Sequence, residues 1–157
     1  MDEYDVLIAL RDTLRENLED PYFQYTGKTR NWIHDDNPLS GATFPRIQIV
    51  QREPVSTEIV SMGFDFQEWY TVVYDIYFIT KIGFKWKNDD DSVIQDETLC
   101  KKYNTKIWDE IKAKGKTLRD DYGIVGLKCL GKNTLDVDAD TQFRRGVVSV
   151  RTWFFKK

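Results

Sequence analysis

The spacing of hydrophobic residues changes along this chain from a helical period to an alternating one. In residues 3–19, leucines recur every three or four positions with charged residues opposite them, which predicts an amphipathic helix. Apolar residues again fall on successive turns in residues 96–114, and Gly115 follows as the expected end of a second helix.

Alternating apolar and polar positions predict four strands. Residues 46–53 and 66–80 have the period of half-buried strands, and Asp75 is expected on the open side of the sheet, paired with a lysine or arginine. Residues 124–131 and 143–155 are predicted as strands, the last of them especially rich in β-branched and aromatic residues.

Two segments lack a sustained period. Residues 20–45 contain scattered glycines and prolines and predict a long loop, which is uncommon inside a small domain and usually functional or mobile. The segment "VSTEIVSMG", residues 55–63, is interpreted as irregular or as an edge segment.

The order helix, two strands, helix, two strands predicts an α+β fold. We expect an antiparallel (mixed) β-sheet with two helices packed on one face, a two-layer sandwich. A chain of 157 residues with 41% hydrophobic residues suits one domain, residues 1–157, with its own core.

Composition narrows the classes of function. The formal net charge of −3 does not predict a nucleic-acid binder, which usually carries a basic excess. The acidic start lacks a signal-peptide pattern, and no apolar run is long enough to span a membrane. Cys100 and Cys129 are expected as buried thiols in a reducing compartment, so the chain is expected to be soluble and cytosolic at synthesis.

The stretch "NWIHDDNPLSG" holds the only histidine, His34, beside Asp35 and Asp36. A catalytic or metal role is considered, but adjacent residues on an extended segment point in different directions, and a zinc site needs three or four ligands. No G-x-S-x-G elbow is present. A solvated loop, or a loop used for subunit contact, is the favoured interpretation.

Other carboxylates are weighed in the same way. The acidic run 89–91 lacks the spacing of a calcium loop and is interpreted as a solvated turn. Glu110 to Lys112 resemble the end of a nuclease motif, but they fall on a predicted helix. We therefore predict no catalytic residue, no metal ligand and no cofactor, while a small enzyme or nuclease centred on Asp75, or on Asp35 and Asp36, stays a minor alternative.

The aromatic content favours assembly. Five tryptophans and eight tyrosines exceed what a domain of this size buries fully, and large aromatics and arginine are enriched at protein–protein contacts. The candidate subunit or partner contacts are Trp32, His34, Asp35, Asp36, Trp86, Arg144 and Arg145.

The chain resembles the tail terminator, or tail completion, proteins of long-tailed phages and related viruses. The resemblance lies in the strand "FPRIQIVQRE" after a long N-terminal loop, the long strand "YTVVYDIYFIT", the helix "CKKYNTKIWDEIKAK" and the closing pattern "DVDADTQFRRGVVSVRTWFF". It covers nearly the whole chain as a pattern of elements.

The resemblance implies a virion structural protein without an active site. Such subunits form a ring, commonly hexameric, that caps the tail tube and meets the head–tail connector or neck protein. DNA only passes through the ring, no membrane is involved, and assembly takes place in the host cytoplasm. The alternatives are another head–tail joining protein, such as a neck or connector-completion subunit, a small metal-dependent nuclease, or a non-viral binding module.

Overall fold

The computed structural model describes residues 2–21, 27, 29–35, 43–53, 55–62, 65–87, 92–138 and 140–155. The helices are α1 (Glu3–Asn17), α2 (Asp96–Ala113) and α3 (Gly115–Tyr122). The strands are β1 (Ile33–Asp35), β2 (Arg46–Gln51), β3 (Ser56–Met62), β4 (Asp65–Lys81), β5 (Lys85–Lys87), β6 (Val93–Gln95), β7 (Ile124–Asp138) and β8 (Phe143–Phe155).

Six of these strands form one mixed sheet. Its order is β1-β2-β4-β8-β7, and β3 pairs with β4 beyond the end of β2. The pair β1–β2 is parallel and the other pairs are antiparallel. Strands β5 and β6 form a separate two-stranded sheet. The predicted α+β class, with a mixed sheet packed by helices, is confirmed.

One end of β4 extends beyond the main sheet. Strand β8 pairs with β4 only from Trp69 onward, whereas β3 pairs with β4 as far as Asp65. The segments Ile59–Met62 and Asp65–Glu68 therefore pair with each other and with no other described strand. We call these eight residues the arm. Within the segment 55–63, expected to be irregular or an edge, residues Ser56–Met62 form β3, and Ile59–Met62 belong to the arm.

Helix α1 begins at a capping box, because the Asp2 carboxylate accepts from the Asp5 backbone N–H at 2.9 Å and the Asp5 carboxylate accepts from the Asp2 backbone N–H at 2.9 Å. The buried stripe of α1 faces the sheet, where the Tyr74 hydroxyl donates to the Glu3 carbonyl oxygen at 2.6 Å. Helix α1 is thereby fixed at its N-terminal turn and along its apolar face.

Helix α2 packs on the same side of the sheet. Its Tyr103 ring stacks on Phe78 of β4 with ring centroids 4.5 Å apart. The largest fully buried side chains of the shared core are Leu10, Leu14, Ile33, Ile47, Ile49, Tyr74, Ile76, Phe78, Leu99, Ile107, Ile111 and Phe154. The core therefore lies between the helices and one face of the sheet.

The structure corrects one predicted segment and adds a helix. Residues 20–45 are not a loop throughout, because β1 pairs with β2 in this interval and Ile33 is fully buried. The second helix ends at Ala113, just before Gly115 as expected, but a further helix that was not predicted, α3, begins at Gly115, and its Leu118 is fully buried against the core. Helix α3 ends at Gly123, where a φ of 70° suits glycine.

Two further observations concern environment and thiols. No helix in the described part of the chain is long and apolar enough to cross a membrane.

Cys100 and Cys129 are free thiols; Cys100 is fully buried and Cys129 half-buried. Burial raises the pKa of Cys100 to about 12, so this thiol stays protonated and unreactive at neutral pH.

Candidate functional site

The two faces of the sheet differ in character. Along β4, Tyr74 and Phe78 point into the core, so Asp75, Tyr77 and Ile79 point to the opposite side, which no described helix covers. We call this side the open face. Its side chains include the polar group of Asp75 and the aromatic rings of Tyr77 and Trp69.

Asp75 is the centre of a hydrogen-bonded network on the open face. Arg52 Nε donates to Asp75 Oδ2 at 2.7 Å, and Ser149 Oγ donates to Asp75 Oδ1 at 2.6 Å. The Tyr77 hydroxyl approaches the same carboxylate at 3.3 Å. Hydrogen bonding to Asp75 raises the pKa of Arg52. The expected pairing of Asp75 with an arginine is confirmed, and the carboxylate is used for structure.

Arg52 reaches Asp75 because of a break between two strands. Strand β2 ends at Gln51, and the Arg52 backbone N–H donates to the Val73 carbonyl oxygen at 2.8 Å before β3 starts at Ser56. This break lets the long guanidinium side chain lie across the neighbouring strand. The sequence analysis did not single out Arg52, although it directly follows the predicted strand.

A recess of about 280 Å³ lies beside this network, toward the other end of the open face. Arg46 of β2 and Arg145 of β8 both line it, with Tyr77 and Phe143. The guanidinium of Arg46 lies 4.4 Å from the Phe44 ring centroid, and its Nε is buried without a hydrogen-bond partner. Burial, followed by the charge of Arg145, lowers the pKa of Arg46.

Trp32, one of the candidate contacts, lies in the core. It is 6% exposed and makes an edge-on contact with Tyr103. It directly precedes β1, which positions the tryptophan under α2. This burial differs from the surface position that a subunit contact would have in the isolated chain, and the contact role itself stays a prediction.

His34 and Asp35 lie on β1 with side chains on opposite sides, as expected for successive strand residues. Asp35 forms an ion pair with Arg11 of α1 at 2.8 Å. His34 Nε2 is buried without a hydrogen-bond partner, and burial, then the charges of Arg46 and Arg15, lower its pKa. Asp36 lies outside the residues that the structure describes.

Arg144 and Arg145 are separated by the sheet. Arg144 points to the helix side, where its Nε donates to the Asp96 carboxylate at 2.6 Å and anchors the first turn of α2. Arg145 points to the open face. The two candidate contacts therefore lie on opposite sides of the sheet, and the alternation of strand residues is the signal that separates them.

The remaining predicted features fall partly outside the described chain. Trp86 lies on β5, and its side chain is not among those described. The acidic run 89–91 lies outside the described residues. Among the residues that are described, no group of three or more His, Cys, Asp or Glu could hold a metal ion.

The comparisons with known proteins are sparse. No protein-family model matches the sequence, and no curated protein matches it. Among solved structures, a chain of "Virion of native gene transfer agent (GTA) particle" is similar, with a TM-score of 0.45 and 15% sequence identity over 96% of this chain and 94% of that chain.

Proposed function

We propose that this chain is a virion structural protein, a tail terminator-like subunit that forms a ring, caps the tail tube and joins it to the head–tail connector. Its partners would be further copies of itself, in a hexamer, together with the tail tube protein and a connector or neck protein. Its place would be the tail of the virion, after assembly in the host cytoplasm. The proposal includes no catalytic role.

The arm is the observation that carries this proposal. A two-stranded ribbon is marginally stable by itself in water, and its outer edges expose backbone N–H and C=O groups. Among the described strands, Asp65–Glu68 of the arm pair with β3 alone. A segment of this kind is stabilised when a neighbouring protein packs on it or extends its pairing. The arm therefore favours the interpretation that the chain is a subunit of an assembly.

The open face supports the same conclusion. Trp69 and Phe155 meet edge-on there with ring centroids 4.8 Å apart, and both are half-buried. Half-exposed aromatics and arginines on one face match the composition of protein–protein contacts. A closed ring needs two different surfaces on each subunit, and the arm and the open face are two such surfaces. The order of elements, which resembles the tail terminator family, agrees with this.

Electron microscopy of the purified protein, alone and mixed with tail tubes, tests the proposal. We expect particles with a central hole, and the same particles at tube ends. A strictly monomeric protein at high concentration, with no binding to tubes, would refute the proposal.

A variant with a shortened arm sharpens this test. Deleting Ser61, Met62, Asp65 and Phe66 keeps the pairing of Val60 with Gln67. We expect a folded monomer by circular dichroism and fewer rings by microscopy. Ring formation equal to that of the full chain would show that the arm has no part in assembly.

A further inference from the structure

Strand β7 forms one edge of the main sheet. It pairs with β8 on one side, and no strand in the described part of the chain pairs with its other side. We call this outer side of β7, from Val125 to Leu135, the β7 edge. Sheet edges expose unpaired backbone N–H and C=O groups, and short length is one of the devices that keep them from pairing. The β7 edge lacks that device, since β7 spans Ile124–Asp138.

The β7 edge carries exposed apolar side chains. Val125 and Leu130 fall at two interruptions of the pairing with β8, and they are 37% and 38% exposed. With Leu135 they make up three of the six large hydrophobic residues that are exposed in the described part of the chain. Apolar side chains gathered on an exposed strand do not protect it from pairing. They indicate a surface that another protein covers.

The charge of the β7 edge is positive. Lys128 and Lys132 are exposed, and neither forms an ion pair with a residue that the structure describes. Strand β7 contains no carboxylate before Asp136. The helices packed beside it do not reverse this charge, because α2 contains four acidic and four basic residues and α3 contains two of each.

Strand β3 forms an edge on the other side of the sheet. Strands β3 and β8 both pair with Trp69–Thr71, so they lie on opposite sides of β4. The outer side of β3, Ser56–Met62, pairs with no described strand. We call it the β3 edge, and it includes the arm. The β3 edge and the β7 edge therefore face away from each other across the subunit.

The hairpin that β3 forms with the start of β4 is acidic in sequence. It contains Glu58, Asp65 and Glu68, and the chain has no Lys, Arg or His from residue 53 to residue 80. Lys156 and Lys157, which follow β8 in the sequence, lie outside the described residues. The β3 hairpin and the β7 edge thus carry opposite charges.

The two edges also run in opposite directions. Strands β3 and β8 are both antiparallel to β4, and β7 is antiparallel to β8, so β7 runs parallel to β4 and opposite to β3. Rotation about a ring axis brings one side of a subunit to the other side of its neighbour. If the strands lie roughly along that axis, β3 of one subunit meets β7 of the next as an antiparallel pair.

We infer that the β7 edge binds the β3 edge of a second copy of this chain, so that the sheet continues from one subunit into the next by antiparallel pairing. This inference rests on the proposed function and names the two surfaces that meet in the ring. An added strand binds through backbone hydrogen bonds, and complementary charges select and orient it. Lys128 and Lys132 of one subunit face the acidic hairpin of the next.

The same charges disfavour a two-fold dimer through β7. Pairing two copies of β7 brings the lysines of one strand near those of the other, and like charges across a strand pair destabilise it. The acidic hairpin of β3 meets no such repulsion. A repulsive element against the wrong partner is a common source of specificity. Lys128 and Lys132 therefore select a contact between different surfaces, the kind from which rings are built.

Charge reversal on each edge provides the first test. Sedimentation velocity over a concentration series at low ionic strength compares the wild type with two double variants. The first combines Lys128→Glu with Lys132→Glu, and the second combines Glu58→Lys with Glu68→Lys. We expect each to associate about tenfold more weakly or worse, because the two edges then carry the same charge. Association of either variant equal to that of the wild type would overturn the inference.

Two controls accompany these variants. Lys85→Glu combined with Lys102→Glu changes the net charge as the β7 variant does, at exposed sites on β5 and α2, and should stay within about twofold of wild type. A chain that ends at Phe155 lacks Lys156 and Lys157 and should associate no more weakly than the wild type. A loss in either control as large as that of the β7 variant would count decisively against the inference.

Mixing the two double variants gives a sharper result. In the mixture, the basic hairpin of one variant meets the acidic β7 edge of the other, and the acidic hairpin meets the unchanged basic β7 edge. We expect the mixture to associate within about threefold of wild type while each variant alone does not. A mixture no better than its components would overturn the inference. Should the β7 variant fail to fold by circular dichroism, Lys128→Gln with Lys132→Gln replaces it, and wild-type association would overturn the inference.

Hydrogen exchange separates this inference from the proposed function. We expect backbone amides of residues 125–132 and 56–62 to exchange more slowly in the assembled protein than in the dilute monomer, because strand pairing protects them. Rings that form without added protection at these two edges would overturn the inference and leave the proposed function standing. A wild type that stays monomeric at every concentration would refute the ring and, with it, the inference.

Discussion

Trp32 and Tyr103 meet edge-on beneath α2, with ring centroids 5.8 Å apart and ring planes at 85°. The contact joins the segment before β1 to the second helix, and Tyr103 also stacks on Phe78 of the sheet. Edge-to-face aromatic pairs contribute beyond the area that they bury. Three separate parts of the chain are therefore held together at one point of the core.

Replacing Trp32 with alanine is expected to destabilise the fold by about 3–5 kcal/mol, because it removes a large side chain from the core. The free energy of unfolding, measured by urea denaturation, checks this. Tyr4→Ala on α1 is the control, since Tyr4 is 59% exposed and its removal should change stability little. A Trp32→Ala protein as stable as the control would contradict the packing described.

Gly146 is required by close packing against α2. A Cβ at this position would lie 2.3 Å from Asn104 Oδ1, and Asn104 is held by donating to the Asn133 carbonyl oxygen at 2.7 Å. We expect Gly146→Ala to lower the free energy of unfolding by about 1–3 kcal/mol. Gly131→Ala on β7, where a Cβ meets nothing within 4 Å, should be close to neutral.

The Gly146 effect has a second, independent check. Asn104→Ala removes the atoms that the new Cβ would contact, so the double variant should be more stable than the sum of the two single effects predicts. Simple additivity in the double variant would show that Asn104 is not the obstacle.

Replacing Arg52 and replacing Asp75 should lower the free energy of unfolding by different amounts. The Asp75 side chain is 9% exposed and that of Arg52 is 42% exposed. Arg52→Met leaves a buried carboxylate without its cation and should destabilise by about 1–3 kcal/mol. Asp75→Asn leaves an arginine whose side chain can move into solvent. This variant should therefore lower the free energy of unfolding by less. Urea denaturation of both variants measures the two losses. A larger loss of unfolding free energy in Asp75→Asn than in Arg52→Met would contradict this account.

His34 should make stability depend on pH. Its pKa is lowered in the folded state, first by burial and then by Arg46 and Arg15. The unfolded chain therefore binds the proton more readily, so stability is complete above the unfolded pKa and falls as the pH drops from that value toward the folded one. Between about pH 7.5 and about pH 5.5, His34→Gln should lose less stability than the wild type.

The single histidine permits a direct measurement as well. Its imidazole signals are unambiguous in a nuclear magnetic resonance titration because the chain contains no other histidine. We expect a midpoint below the ordinary value of about 6.5. A midpoint above that value would show that Asp35, whose charge favours the protonated ring, outweighs burial and the arginines.

The candidate site was only partly predictable from the sequence. The alternation of Arg46 and Gln48 with Ile47 and Ile49 places Arg46 on the open face, and the same rule separates Arg145 from Arg144. Nothing in the local pattern indicates that Arg46 and Arg145, about a hundred residues apart in the chain, line one recess. That neighbourhood depends on the positions of β2 and β8 on either side of β4.

The sequence by itself determined the helical and alternating periods, and with them the α+β class and the side of β4 on which Asp75 lies. Periodicity suffices for these because burial of one face is a local constraint repeated along each element. Only the tertiary structure decided that Trp32 is a core residue, that Arg52 holds Asp75, and that the arm extends past β8. Each of these depends on pairing register and on contacts between distant segments, which no short stretch of sequence encodes alone.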